Sequence, residues 1–188
     1  CGYGLRVHTA RAARHELADL LPHALMHRDV KGKQTELGGS YHNEEELDVL
    51  IALLSAMRER GVAPADIAVI TPYRGQLEKL TRACLAQGYP LERSAELAEQ
   101  GERNAAASGL ALGTVHRFQG GERDIVLFSS VVSELRSLPF INSRPNLLNV
   151  AISRARKHFV SLGHHAVLLR GEASRVLTRG HALRFSDE

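Results

Sequence analysis

Short apolar runs alternate with helical apolar stripes along the chain. Apolar residues at i, i+3, i+4 and i+7 spacing predict an amphipathic helix between Asn43, a good N-cap, and Gly61, a stop signal. The stripe consists of Leu47, Leu50, Ile51, Leu54 and Met57. Acidic residues at 44–46 occupy the first turn, where the helix dipole favours them, and Glu46 stands at the capping-box position. This is the clearest helix in the sequence.

Other segments predict a sheet covered by helices. The predicted strands are 24–26, 67–71, 111–115, 125–130 and 158–163. The run 67–71 is apolar throughout, which is typical of a strand buried on both faces of a parallel sheet. Further helices are predicted at 76–86, with Leu77, Leu80 and Leu85 on one side, and at 147–155. The alternation predicts an α/β domain with a parallel sheet and helices on both faces.

Two regions carry weaker signals. Residues 91–109 are rich in Ala, Glu and Arg, which predicts a surface helix or a loop, and the tail from Gly171 shows no pattern. The stretch Gly38-Gly39-Ser40 predicts a loop before the first long helix.

Composition narrows the class of protein. The chain has 188 residues, 44% hydrophobic and 24% charged, as expected for one globular domain. No apolar run has membrane-spanning length and no signal peptide opens the chain, so we expect an intracellular, cytoplasmic protein without membrane association. Two cysteines exclude a disulfide framework. Arginine greatly outnumbers lysine, which fits phosphate binding and codon bias equally well, and the second explanation leans toward a bacterial source.

Three polar clusters stand beside the predicted strands. They cover residues 71–76, 114–124 and 148–156. Open α/β sheets bind ligands at the carboxyl ends of their strands, so we expect all three clusters at that edge. Gly120 and Gly121 in the second cluster leave backbone N–H groups open to hold a phosphate or a sugar. Each cluster alone is typical of a solvated turn, and their order together is more informative.

That order resembles the second RecA-like domain of superfamily 1 helicases, most closely the group of the nonsense-mediated-decay helicase and senataxin. Residues 71–76 resemble motif IV, "TPYxxQ", residues 114–124 resemble motif V, "TVDxFQGxExD", and residues 148–156 resemble motif VI, "LNVALTRAR". Position 116 is His where this group usually has Asp. The resemblance implies a RecA-like fold of the P-loop NTPase type, without a phosphate loop of its own.

The resemblance also implies roles for single residues. Arg154 matches the motif VI arginine finger that reaches the γ-phosphate of ATP, and is therefore the expected catalytic residue. Arg156 matches a structural position. The expected nucleotide-binding residues are Gln119, Gly120, Glu122 and Arg154. The expected nucleic-acid-binding residues are Thr71, Tyr73, Thr114 and His116. The implied cofactor is ATP with Mg²⁺, the magnesium being held by a first RecA-like domain.

The chain contains no GxxxxGK[ST] loop, so this first domain is expected upstream of Cys1. We therefore expect residues 1–24 to lead in from it, residues 25–170 to form the RecA-like domain, and residues 171–188 to be a tail. The predicted function is that of the second motor domain of an ATP-dependent helicase or translocase. Its partners would be single-stranded DNA or RNA and the upstream domain, and the fragment alone would not hydrolyse ATP. The alternative is a stand-alone nucleic-acid-binding module that has lost ATPase function.

Overall fold

A computed structural model describes residues 17–92, 109–115, 118 and 121–183. Its centre is a sheet of six parallel strands, in the order β5-β4-β6-β7-β1-β8, and a separate hairpin pairs β2 with β3. The strands are β1 Leu25–Asp29, β2 Gln34–Leu37, β3 Ser40–Asn43, β4 Ile67–Thr71, β5 Ala111–Thr114, β6 Arg123–Ser129, β7 Ala155–Gly163 and β8 His181–Ala182. The helices are α1 Glu44–Glu59, α2 Arg74–Ala86, α3 Leu138–Asn142, α4 Pro145–Ser153 and α5 His165–Leu168. Short 3₁₀ turns cover Pro64–Asp66, Leu135–Ser137 and Ser174–Arg179.

Two hydrophobic clusters lie on opposite faces of this sheet. All five residues of β4 are buried, and successive side chains point to opposite sides. Ile67 and Val69 join a cluster with α1 and α2, whereas Ala68 and Ile70 join a cluster with α3 and α4. The predicted parallel sheet with helices on both faces is therefore confirmed, and the architecture is the RecA-like α/β fold.

Helix α1 begins and ends where the sequence predicts. The Asn43 side chain accepts a hydrogen bond from the Glu46 backbone N–H at 3.2 Å, which satisfies one of the otherwise unpaired donors of the first turn. Gly61 follows the last turn with φ of 75°, a left-handed conformation that costs other residues more.

The hairpin before α1 is a feature that the sequence analysis missed. Leu37 pairs with Ser40, so the predicted loop is reduced to a two-residue turn. Its two residues, Gly38 and Gly39, have φ of 54° and 75°. Positive φ at both central positions is the requirement of a type I′ turn, and a Gly-Gly pair is a known signal for it.

Helix α2 buries a different stripe from the predicted one. Gln76, Leu80 and Cys84 are fully buried at i, i+4 spacing, while Leu85 is 58% exposed. The prediction that Leu85 faces the core was wrong, because the buried stripe of α2 includes a polar residue, Gln76, that hydropathy alone does not select.

The tail contributes an edge strand. Met26 of β1 pairs with His181, and the Leu183 N–H donates to the His27 carbonyl at 2.8 Å. A Cβ added at Gly180 would lie 2.7 Å from the backbone carbon of Met26, so the close approach requires glycine. Most of the segment predicted as surface helix or loop, residues 93–108, lies outside the described residues.

Two leucines of α2 offer a matched test of this packing. Leu80→Ala should lower the free energy of unfolding by about 2–5 kcal/mol, because it leaves a cavity in the core. Leu85→Ala removes the same atoms from an exposed position and should change stability by less than about 0.5 kcal/mol. Urea denaturation of both variants checks the prediction. Equal losses would contradict the placement of α2.

Candidate functional site

The predicted site residues divide between two edges of the sheet. Thr71 and Thr114 are register partners at the carboxyl ends of β4 and β5. Glu122 and Arg154 instead stand just before β6 and β7, at the amino ends of these strands. The seven residues of β6 separate the two edges, a distance of about 20 Å along the strand. The expectation of one carboxyl edge was therefore wrong for Glu122 and Arg154, because both residues precede strands that run parallel to β4.

At the amino edge, the ends of the second and third clusters meet. The Arg123 N–H donates to the Arg154 carbonyl at 2.9 Å, which fixes the start of β6 against the end of α4. Glu122 accepts a charge-assisted hydrogen bond from Arg156 Nε at 3.2 Å. Glu122, Arg154 and Arg156 form what we call the amino-edge group.

Arg154 is held in place by the last turn of α4. Its Nε donates to the Val150 carbonyl at 3.3 Å, and Nη2 donates to Ser153 Oγ at 3.2 Å. Ser153 Oγ in turn donates to the same Val150 carbonyl at 2.9 Å. The side chain is half-buried, so its orientation is restricted while part of the guanidinium faces solvent.

The neighbouring cations among the described residues are neutralised and Arg154 is not. Three other basic side chains described at this edge each form an ion pair with a carboxylate. These pairs are Arg123 with Glu92 at 2.6 Å, Lys157 with Asp124 at 2.9 Å and Arg156 with Glu122 at 3.2 Å. Within the described part of the chain, no carboxylate lies within 4.0 Å of the Arg154 guanidinium. Arg154 therefore keeps its charge available for an anion.

The pair between Glu122 and Arg156 is weakly held. Their side chains are 53% and 44% exposed, and ion pairs in such positions contribute about 0–1 kcal/mol. A ligand with hydroxyl groups can therefore exchange for Arg156 at little cost. Gln119, Gly120 and His116 lie outside the described residues, and their roles stay predictions.

At the carboxyl edge, two predicted contacts face inward. Thr71 is fully buried, and its Oγ1 accepts the Tyr73 N–H at 3.3 Å. Tyr73 is 6% exposed, stacks on Phe140 at 4.9 Å and meets the edge of Tyr41 at 5.8 Å, and burial raises the pKa of Tyr73 to about 12. Thr114 is half-buried. The nucleic-acid roles of Thr71, Tyr73 and Thr114 stay predictions.

Gln76 of the predicted motif IV joins two elements inside the protein. Its Oε1 accepts the Asn43 N–H at 2.9 Å. Its Nε2 donates to the Asn43 carbonyl at 3.3 Å and to Ser129 Oγ at 3.1 Å. Gln76 therefore ties the end of β3 to the end of β6, which makes it a structural residue of the motif.

Glu46 completes this buried polar network. Its Oε2 accepts from Ser129 Oγ at 2.6 Å and from the Val131 N–H at 3.0 Å, and its Oε1 has no partner among the described residues. Burial raises the pKa of Glu46 to about 8, against these hydrogen bonds, which lower it. The carboxyl group is therefore mainly neutral at pH 7, unlike the anion expected in a first turn.

Val131 depends on the same carboxyl group. It is left-handed with φ of 65°, a conformation that is costly for a β-branched residue. The hydrogen bond from its N–H to Glu46 helps to hold this conformation. The sequence contained a signal for the burial of Glu46, because position 46 continues the apolar stripe through Leu50 and Leu54 at i, i+4 and i+8.

The sheet order and the two helix layers define a RecA-like α/β domain, and the comparisons with known proteins give its family. The chain belongs to the AAA domain family (AAA_12), which matches residues 4–166. A homolog of Regulator of nonsense transcripts 1 from Arabidopsis thaliana is 36% identical over 132 residues, 70% of this chain and 10% of the relative. The putative helicase MOV-10 of Gallus gallus is 31% identical, over 69% of this chain and 14% of the relative. The resemblance to superfamily 1 helicases of the nonsense-mediated-decay group is thus confirmed.

A solved structure shares the fold. The C-terminal domain of a possible DNA helicase from Lactobacillus plantarum WCFS1 superposes with a TM-score of 0.50 at 17% identity, covering 93% of this chain and 99% of that domain. The chain spans only 10–14% of the two curated relatives named above. Both relatives are eukaryotic, so the expected bacterial source is not borne out. No helix among the described residues is long and apolar enough to cross a membrane.

Glu46 gives the fold a predictable pH dependence. The folded carboxyl group, with a pKa of about 8, keeps a proton that the unfolded chain loses near its ordinary pKa of 4.5. The free energy of unfolding should therefore fall as pH rises from 5 to 8, by up to about 1.4 kcal/mol per unit. Glu46→Gln removes this titration, so its stability relative to wild type should rise with pH.

Urea denaturation between pH 5 and 8 measures this difference. Glu45→Gln, at the exposed neighbouring position, is the matched control and should follow the pH profile of the wild type. Parallel profiles for Glu46→Gln and wild type would show that Glu46 is ionised in the folded protein.

Proposed function

We propose that the chain is the second motor domain of an ATP-dependent helicase or translocase and that Arg154 is its arginine finger. The observation that carries the proposal is the charge state of the amino edge. Among the described residues there, Arg154 is the cation without a carboxylate partner, and its side chain is hydrogen-bonded to the last turn of α4. Family membership supports the helicase setting, and the match of Arg154 to motif VI supports the role.

Arg154 suits a phosphate by its chemistry. A guanidinium group is planar, stays charged at all accessible pH values and offers parallel N–H donors that match phosphate oxygens. ATP, with magnesium held by an upstream RecA-like domain, would supply the phosphoryl group that is transferred to water. Arg154 would donate to the γ-phosphate oxygens and neutralise the charge that develops on them. Its half-buried position strengthens this interaction, because solvent screens it less.

Glu122 would contribute a second contact. Its carboxylate can accept hydrogen bonds from the hydroxyl groups of a ribose, in exchange for the weak pair with Arg156. Gln119 and Gly120, which precede it along the chain, would complete the contact with the nucleotide. Single-stranded DNA or RNA would lie at the opposite, carboxyl edge, which carries the motif IV residues.

The arginine finger can be tested in the native full-length protein. Arg154→Ala should lower nucleic-acid-stimulated ATP hydrolysis by about 10³-fold or more, because the developing charge loses its counterion. Arg154→Lys should restore little of it, since lysine lacks the planar fork. Arg82→Ala, which removes an exposed arginine paired with Glu78 on α2, is the control and should hydrolyse ATP normally.

Near-normal turnover in Arg154→Ala would contradict the assignment. A wild-type protein that binds single strands without any ATP hydrolysis would instead support the alternative, a nucleic-acid-binding module that has lost the motor. The two results are separated by measuring phosphate release and single-strand binding on the same preparation.

A further inference from the structure

Three aromatic rings and an arginine contact one another in a row beside the carboxyl edge of the sheet. The Tyr41 ring meets Tyr73 edge-on at 5.8 Å, and Tyr73 stacks on Phe140 at 4.9 Å with an interplanar angle of 27°. The Arg144 guanidinium lies over the Phe140 ring at 4.5 Å. We call this set the aromatic column.

Exposure increases from Tyr73 toward Arg144. Tyr73 is buried, Tyr41 and Phe140 are half-buried and Arg144 is exposed. Arg144 is therefore the outermost member of a stack whose base is fixed in the core. Arg144 belongs to no ion pair or side-chain hydrogen bond among the described residues, whereas Arg136 of the same segment is paired with Glu134.

The column stands where the predicted nucleic-acid residues are. Tyr73 follows Thr71 by two residues, and Thr71 is the register partner of Thr114. Tyr73 and Phe140 pack in the same hydrophobic cluster as Val115 and Phe118, which follow Thr114 along the chain. Thr71 and Tyr73 themselves are buried, whereas the outer end of the column is exposed.

The local electrostatics favour an anion beside Arg144. The residue is also the N-cap of α4, and no side chain caps this helix terminus. The partial positive charge of the terminus therefore adds to the guanidinium charge. The guanidinium carbon lies over the Phe140 ring, a contact that limits the positions open to the group, and no described residue accepts a hydrogen bond from its N–H groups.

We propose that Arg144 binds a backbone phosphate of the single strand and that Phe140 is the positioning residue that holds its guanidinium plane. This inference rests on the proposed function, because it names a contact of the same nucleic-acid surface. Phosphate contacts carry no sequence information, so the contact serves DNA and RNA equally. Tyr73 then acts as the buried base of the column rather than as a direct contact.

Salt dependence tests the phosphate contact. The probes are fluorescein-labelled oligothymidylate and oligouridylate of about 20 nucleotides, enough to fill a typical single-strand groove. Binding to the native full-length protein is measured by fluorescence anisotropy between 50 and 200 mM salt. Arg144→Ala should weaken both probes about tenfold at low salt. It should reduce the slope of log affinity against log salt by about 0.7, the value for one phosphate of a single strand.

Arg136→Ala is the matched control, since it removes an exposed arginine of the same segment that already has a partner. It should leave affinity and slope unchanged. Unchanged affinity and slope in Arg144→Ala would overturn the proposal. A loss confined to one of the two probes would also overturn it, because a phosphate contact does not distinguish the sugars.

The role of Phe140 is tested by a double-mutant cycle. Phe140→Leu keeps an apolar side chain, so the fold is expected to survive, and thermal unfolding checks this. It should weaken binding about threefold in the wild type and have no effect on binding in Arg144→Ala, because its contribution passes through Arg144. An equal loss in both backgrounds would show that Phe140 acts independently of Arg144.

These results separate the inference from the proposed function. If Arg154→Ala loses ATP hydrolysis while Arg144→Ala binds both probes normally, the phosphate contact fails and the motor assignment stands. If the wild-type protein binds neither probe, both fail.

Discussion

The burial of the sheet on both faces governs where chemistry can occur in this domain. Strands β4, β6 and β7 lie between two helix layers, and the interior of β4 has no exposed residue. Ligands can therefore reach only the ends of the strands. The two ends carry different groups: at the amino edge a half-buried arginine with no carboxylate partner among the described residues, and at the carboxyl edge an aromatic stack with an arginine over its outer ring. In the proposed function, the nucleotide and the nucleic-acid strand would therefore occupy separate surfaces.

Strand β6 connects the two edges. Its first residue, Arg123, is hydrogen-bonded to the Arg154 backbone, and its last residue, Ser129, is hydrogen-bonded to Gln76 and Glu46. In the polar network at the carboxyl edge, Gln76 is the residue of predicted motif IV, and it bonds to Asn43 and Ser129 rather than to a ligand. This motif residue therefore supports the frame on which the exposed groups stand.

Hydrophobic periodicity in the sequence predicted the bounds of the regular helices and strands best. The bounds of α1 and β4 followed from an apolar stripe and an apolar run, whereas the role of Arg154 rests on the motif resemblance and stays a prediction. The edge on which Arg154 lies did not follow, because that depends on strand direction in the assembled sheet. The inward orientation of Tyr73 depends on Phe140, which is distant in sequence, and no local pattern announces that contact. The i, i+4 spacing of Phe140 and Arg144 is a local signal for their contact, but it lies outside the three motifs.

The short strand β8 covers backbone hydrogen-bonding groups along one side of β1. An uncovered outer strand offers a row of backbone donors and acceptors to any other extended chain. Here β8 and the residue after it occupy that side of β1, in a fit so close that Gly180 admits no side chain. The two paired residues of β8 thus prevent other protein chains from adding to this edge of the sheet. A shortened version that ends before Gly180 would expose the edge of β1 to other copies of the protein.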